Sequence, residues 1–322
     1  MAEPSATKAM ARPASPSARD GASMRLLAIA GGLAVALVAG FALGEVVRDS
    51  AGPTGSAPMG RPPGASLPAS RGTGHQHAGG AATTAAGAEV GGLAVSAGGY
   101  TLAPETTSLT AGARSTWRFR VIGPDSKPVT NFAIVHDKPM HLIVARRDFS
   151  GYQHLHPTMA PDGTWSVDLL LPQAGAWRAY ADFATVGSAN AQVPLTLGAD
   201  LTVPGDFRPL PLPAASRESI VDGFAVTYEG TPRLGETQAL VFRVSRDGSP
   251  VADLQRYLGA YGHLVVLREG DLGYVHVHPE QRLLGGAVKF WLTATSPGRY
   301  RMFFDFQVGG RVHTAEFTLV VR

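Results

Sequence analysis

The chain has 322 residues, with 28 Lys plus Arg against 25 Asp plus Glu and no cysteine. That length holds about two domains at roughly 150 residues each, and a formal charge of +3 gives no basis for a nucleic-acid partner. The absence of cysteine excludes disulfides, thiolate metal sites, a cysteine nucleophile and the acylated cysteine of a lipoprotein anchor.

Residues 1–24 are small, polar and Pro/Ala-rich, and read as a disordered cytoplasmic tail. Residues 25–47 contain the run LLAIAGGLAVALVAGFALGEVV, 22 residues with Glu45 as the one charge. A bilayer-spanning helix needs about 20 apolar residues, whereas a secretory signal core has only about 7–15. The run therefore reads as a retained single-pass membrane helix. The basic residues ahead of it, Lys8, Arg12, Arg19 and Arg25, put the N-terminus in the cytoplasm and the remainder outside. Ala42-Leu43-Gly44 is a passable cleavage site, and cleavage there would make the protein secreted. Residues 48–97 are Gly/Ala/Pro-rich and poor in large apolar side chains, which makes them a flexible tether.

From residue 98 the texture changes to short alternating runs such as Thr116-Trp-Arg-Phe-Arg-Val121 and Ala239-Leu-Val-Phe-Arg-Val244, separated by Gly, Pro and Asp. Such spacing predicts an all-β chain of sandwiches or barrels. An internal repeat divides it. Aligning Val129 with Val251 carries the two copies to Pro157 and Pro279 without a gap. Gly175-Ala-Trp-Arg then matches Gly298-Arg-Tyr-Arg after one inserted residue. The fold expected is two tandem Ig-like antiparallel β-sandwiches, over 98–203 and 204–322.

The repeat keeps three histidines per copy: His141, His154 and His156, then His263, His276 and His278. With a four-residue loop at 147–150, Ile143 pairs with His154 and His141 with His156. Opposed residues share a face and side chains alternate along each strand, so all three imidazoles fall on one face. The second copy gives the same arrangement, and a one-residue slip would destroy it. Such triplets suit Cu²⁺, Zn²⁺ or Ni²⁺. His136, Met140 and Met159 flank the first triplet as further ligands, and a thioether would tilt the metal toward copper. Asp182 and Asp305 recur inside aromatic strands as groups to orient a ligating histidine, although each also has an Arg (Arg178, Arg301) to pair with on its own strand face. Ile143, Ala145 and Tyr152 share the histidine face, as do Val265, Leu267 and Tyr274. A core face with structural histidines is the competing reading.

The motif His-Leu-[IV]-Val…His-x-His-Pro, followed by Gly-x-[WY]-Arg-x-[YF]-x-Asp-Phe, resembles the YtkA-like, immunoglobulin-like domains of bacterial envelope proteins. The stretch from Tyr257 to Val265 and on to Pro279 is similar to secreted or membrane-anchored actinobacterial proteins sometimes labelled heavy-metal-associated. The resemblance covers about 98–322 and implies an Ig-like sandwich with a link to copper or other metal handling. No Gly-x-Ser-x-Gly elbow, phosphate loop or acid/base carboxylate pair is present, so binding without turnover is expected. The expectation is a membrane-anchored extracytoplasmic protein that binds a transition metal, copper first, through its His clusters for sequestration or delivery. The alternative is an envelope interaction or scaffold module. No pattern names a protein partner.

Overall fold

A computed structural model describes residues 90–187 and 190–322, all in one compact unit. The tail, the membrane helix and most of the tether expected over residues 1–97 lie outside the described residues. The first repeat contains β1 (Ser96–Ala97), β2 (Tyr100–Pro104), β3 (Arg114–Ile122), β4 (His141–Arg146), β5 (Gln153–Leu155), β6 (Thr158–Met159), β7 (Thr164–Leu170), β8 (Gly175–Val186) and β9 (Gln192–Val203). The second contains β10 (Glu218–Val221), β11 (Phe224–Glu229), β12 (Thr237–Arg246), β13 (Ser249–Pro250), β14 (His263–Arg268), β15 (Tyr274–Val275), β16 (Val277–Pro279), β17 (Val288–Thr293), β18 (Gly298–Val308) and β19 (Arg311–Val321).

Each repeat is an all-β sandwich of two antiparallel sheets. The first pairs β1-β2-β3-β7-β6 with β5-β4-β8-β9, and the second pairs β10-β11-β12-β17-β16 with β15-β14-β18-β19. Period-two alternation builds each interior. Trp117, Phe119 and Val121 of β3 meet Leu142 and Val144 of β4 and Trp177 and Ala179 of β8 in the first core. Phe242, Met302, Phe304 and Phe306 occupy the equivalent interior of the second.

All six residues of β4 are buried, so this strand is covered on both faces. The cover is the other repeat. Ile143, Ala145, Phe149 and Tyr180 of the first domain form a third buried cluster with Val265, Leu267, Leu272, Tyr274 and Phe303 of the second. Tyr152 stacks on Phe303 with ring centroids 3.9 Å apart, and the Tyr180 hydroxyl donates to the Leu272 carbonyl at 2.7 Å. A buried side chain of this size contributes about 1.5–3 kcal/mol over an exposed one. The apolar content of the histidine-bearing face thus has a physical cause: that face is the core of the interdomain seam.

Two connecting segments close the seam. Ahead of β1, Gly91 exchanges backbone hydrogen bonds with Tyr274 of β15 (2.8 and 3.0 Å), and Gly92 N–H donates to Thr196 of β9 at 2.9 Å. Arg178 donates to the Gly92 carbonyl from two nitrogens, at 2.8 and 2.6 Å. Between the repeats, the Leu210 N–H donates to Asp148 at 2.7 Å and Leu212 packs on the seam core.

Candidate metal centre between the domains

The β4–β5 register pairs Ile143 with His154 and Leu142 with Leu155, as hairpin spacing predicts. It brings the three first-repeat imidazoles together. Ring centroids are 5.4 Å apart for His141–His154, 5.1 Å for His141–His156 and 4.9 Å for His154–His156. Docking of the domains adds a fourth. His263 stacks on His141 at 5.3 Å with planes 7° apart and lies 4.5 Å from His154. Ligand nitrogens of His141, His154 and His263 all fall within 4.8 Å of one another.

A tight turn supplies the next groups. Val135 and Lys138 exchange backbone hydrogen bonds, with His136 and Asp137 at φ 48° and 62°. His and Asp are among the non-glycine residues that tolerate this left-handed region. The turn sets the His136 ring 6.0 Å from both His141 and His263. It also aims the Val135 carbonyl at His141 Nε2, 3.1 Å away. The matching turn in the second repeat, Tyr257 to Ala260, places the Tyr257 ring 6.4 Å from His154 and 6.5 Å from His156.

Hydrogen-bond accounting assigns the protons. A carbonyl only accepts, so His141 Nε2 donates to Val135 and its Nδ1 is left as an acceptor. His154 Nε2, 3.1 Å from that Nδ1, is then the donor. His154 Nδ1 also faces the Asp305 carboxylate, at 2.8 Å. Asp305 therefore anchors His154 from across the seam, through the ring nitrogen turned away from His141. Thr314 donates to the other carboxylate oxygen at 2.6 Å, and the Tyr152 hydroxyl donates to the oxygen facing His154 at 3.3 Å.

The neighbouring imidazoles are held neutral. Burial, followed by the charge of His154, lowers His141 to about 3. Burial followed by the same charge, and then Lys138, lowers His156 to about 4. His263 is pushed well below its usual 6.5, by burial first and then by His154 and His141. Neutral imidazole is the form that ligates metal. Among the described residues, His263 Nδ1 and His156 Nε2 are buried with no hydrogen-bond partner, a condition that costs about 1–3 kcal/mol for each such group.

The other residues singled out by sequence lie elsewhere. His276 and His278 are exposed, with rings 5.0 Å apart. The reason is a strand switch. β15 follows the expected register, Leu267 opposite Tyr274, but leaves β14 after Val275. β16 then joins β17, with His278 opposite Trp291. In the first repeat the chain stays on β4 through Leu155 before crossing. Met140 is fully buried in the first sandwich core, and Met159 packs against that core. The gathered donors are therefore nitrogens. Asp182 sits opposite His141 across β4–β8 and accepts from Thr196 at 2.6 Å. Arg178 and Arg301 pair with Asp200 and Glu316 on the adjacent strands, which leaves Asp182 and Asp305 to other partners. His313 hydrogen-bonds Asp222 at 2.7 Å and packs on Phe224 and Phe306.

Among solved structures, the chain is similar to the Escherichia coli adhesin FdeC at 17% identity and a TM-score of 0.25, covering 71% of this chain and 66% of that one. It is similar to invasin, a bacterial integrin-binding protein, at 16% identity and a TM-score of 0.22, covering 71% and 41%. A titin Z1Z2 tandem follows at 13% identity and a TM-score of 0.18, covering 68% and 96%. The chain spans less than two thirds of the FdeC and invasin chains. Comparison with curated proteins finds no match. One family model matches twice, over residues 94–200 and 219–322, once on each sandwich. The chain belongs to the family defined by the domain of unknown function DUF8832, and carries that domain in tandem.

Proposed function

We propose that this is a membrane-anchored, extracytoplasmic module that binds a divalent transition-metal ion at the seam between its two Ig-like domains. The observation that carries the reading is the convergence of His141, His154 and His263, with ligand nitrogens within 4.8 Å of one another. The ion replaces the proton that His141 Nδ1 and His154 Nε2 share at 3.1 Å. His156 Nε2 and His263 Nδ1 are buried nitrogens in need of a partner. Asp305 holds His154 through the ring nitrogen turned away from His141, as carboxylates commonly do behind ligating histidines. An all-imidazole set suits Cu²⁺, Zn²⁺ and Ni²⁺. The thioethers that would favour Cu⁺ belong to the first sandwich core. Burial of the site favours retention of the ion, hence sequestration or a structural clamp, over rapid delivery.

A second reading has its own observation. The network from Val135 through His141 and His154 to Asp305 is complete with protons alone, which suits an envelope interaction or scaffold module with structural histidines. The two are separated by stripping the full chain and titrating it with Cu²⁺, Zn²⁺ and Ni²⁺. The metal reading expects tight binding that is lost in folded His154→Ala and His263→Ala variants and kept in His278→Ala. No binding, together with a melting temperature indifferent to every ion, would leave the scaffold reading.

A further inference from the structure

The three convergent imidazoles are covered, while His156 beside them is half-buried. His141 is 3% exposed and His263 7%, and the side chain of His154 is 3% exposed. An ion therefore needs an entry path, a requirement of any metal site. Among the described residues, a pocket adjoins the cluster. It is lined by His136, Asp182, His263, Tyr274 and His276, together with apolar side chains of the second domain. Its lining includes His263, whose buried Nδ1 has no partner among the described residues. Its lining also includes the exposed His276, whose ring lies 5.0 Å from that of the exposed His278. Asp182, half-buried, is the one carboxylate of the lining, with one oxygen held by Thr196. His136 belongs to both places, lining the pocket while its ring lies 6.0 Å from those of His141 and His263.

We propose that this pocket is a loading port: His276 and Asp182 capture a divalent transition-metal ion from solvent and pass it, by way of His136 and His263, to the buried cluster. The inference rests on the ion-binding reading and extends it to the route. An exposed imidazole and a half-buried carboxylate make a weak, fast-exchanging site, whereas three buried imidazoles make a slow one. The same chemistry explains why the second repeat keeps a His-x-His that the strand switch has moved away from the cluster.

The test is stopped-flow mixing of the full, metal-free chain with Co²⁺, whose visible absorption reports ligand geometry, alongside equilibrium titration. His276→Ala changes an exposed side chain, and Asp182→Asn keeps an acceptor for Thr196. Each is expected to slow loading by about tenfold, the low end of what a ligand-lined cleft adds to an association rate. The equilibrium affinity and the final spectrum should remain those of the wild type. Co²⁺ binding with unchanged rates in both variants overturns the port alone. A loss of affinity as large as the loss of rate also overturns it, since these residues would then be permanent ligands. A wild type that takes up no Co²⁺ overturns the ion-binding reading and the port with it.

Discussion

Asp305 of the second domain lies 2.8 Å from His154 Nδ1 of the first, so a carboxylate in one repeat orients an imidazole in the other. Both side chains are almost fully buried, at 2% and 3% exposure. Asp305→Asn disturbs the buried carboxylate that His154, Tyr152 and Thr314 share and should cost about 1–3 kcal/mol of stability. Loss of a carboxylate behind a ligating histidine should also lower metal affinity by about 10–100-fold. Urea unfolding and calorimetric titration with Zn²⁺ measure the two effects separately. A variant that binds Zn²⁺ like the wild type would show that His154 needs no such partner.

Phe303 is fully buried in the seam beneath Tyr152. Phe303→Ala should cost about 3–5 kcal/mol and loosen the contact that brings His263 to His141. The expected signature is a lower urea midpoint together with weaker Zn²⁺ binding, although no ligand has been touched. Unchanged Zn²⁺ affinity would mean that the cluster assembles without the seam.

Acid should weaken the fold through the imidazoles. In the unfolded chain these rings protonate near 6.5, whereas folded His156 waits until about 4 and folded His141 until about 3. The unfolded state therefore binds more protons in this window. The stabilisation is fully present above about 6.5 and is lost as pH falls through the window toward the folded values. Carboxylates act lower. Burial alone would raise Asp148, but Arg146 and the Leu210 N–H hold it below its usual 3.8. The urea midpoint of the metal-free protein should thus fall between about pH 7 and about pH 4.5, before such carboxylates contribute. His141→Gln should flatten that slope, and a flat wild-type profile would contradict the neutral cluster.

Gly198 marks where the entering chain crosses β9. A Cβ there would stand 1.9 Å from the Gly92 carbonyl oxygen and within 3 Å of the Arg178 guanidinium. Gly198→Ala should expel residues 90–93 from between β9 and β15 and sever the Gly91–Tyr274 hydrogen bonds. Faster amide exchange at Gly91 and Tyr274, with the sandwich cores still protected, is the expected result. Protection equal to the wild type would show that the strand shifts without leaving.

Much of this architecture is legible in the sequence, because local patterns decide it. The hairpin registers Ile143–His154 and Leu267–Tyr274 follow from alternation and loop length. The recurrence of Asp182 and Asp305 marks them as related positions, and the structure sets them opposite His141 and His263. What covers the outer face is not legible. Ile143, Ala145 and Tyr180 announce burial, but alternation cannot say whether the partner is a sheet of the same sandwich or of its neighbour. The joining of His263 to the first triplet depends on that docking. The departure of His276 depends on a strand switch after Val275, which no turn residue signals. The place of Tyr257 beside His154 and His156 is not legible either, because it comes from tertiary packing alone.

The seam also sets a rule of symmetry. Both repeats present the same face to each other, so Tyr152 meets Phe303 and Asp305 while Tyr274 meets Tyr180 and lines the pocket with Asp182. That is the isologous contact of a twofold dimer, realised within one chain. In a dimer of identical subunits, every off-axis site comes in pairs. Covalent linkage removes that obligation. One repeat here contributes His141, His154 and His156 and the other His263 and Asp305, and the matching half is free to carry exposed histidines instead.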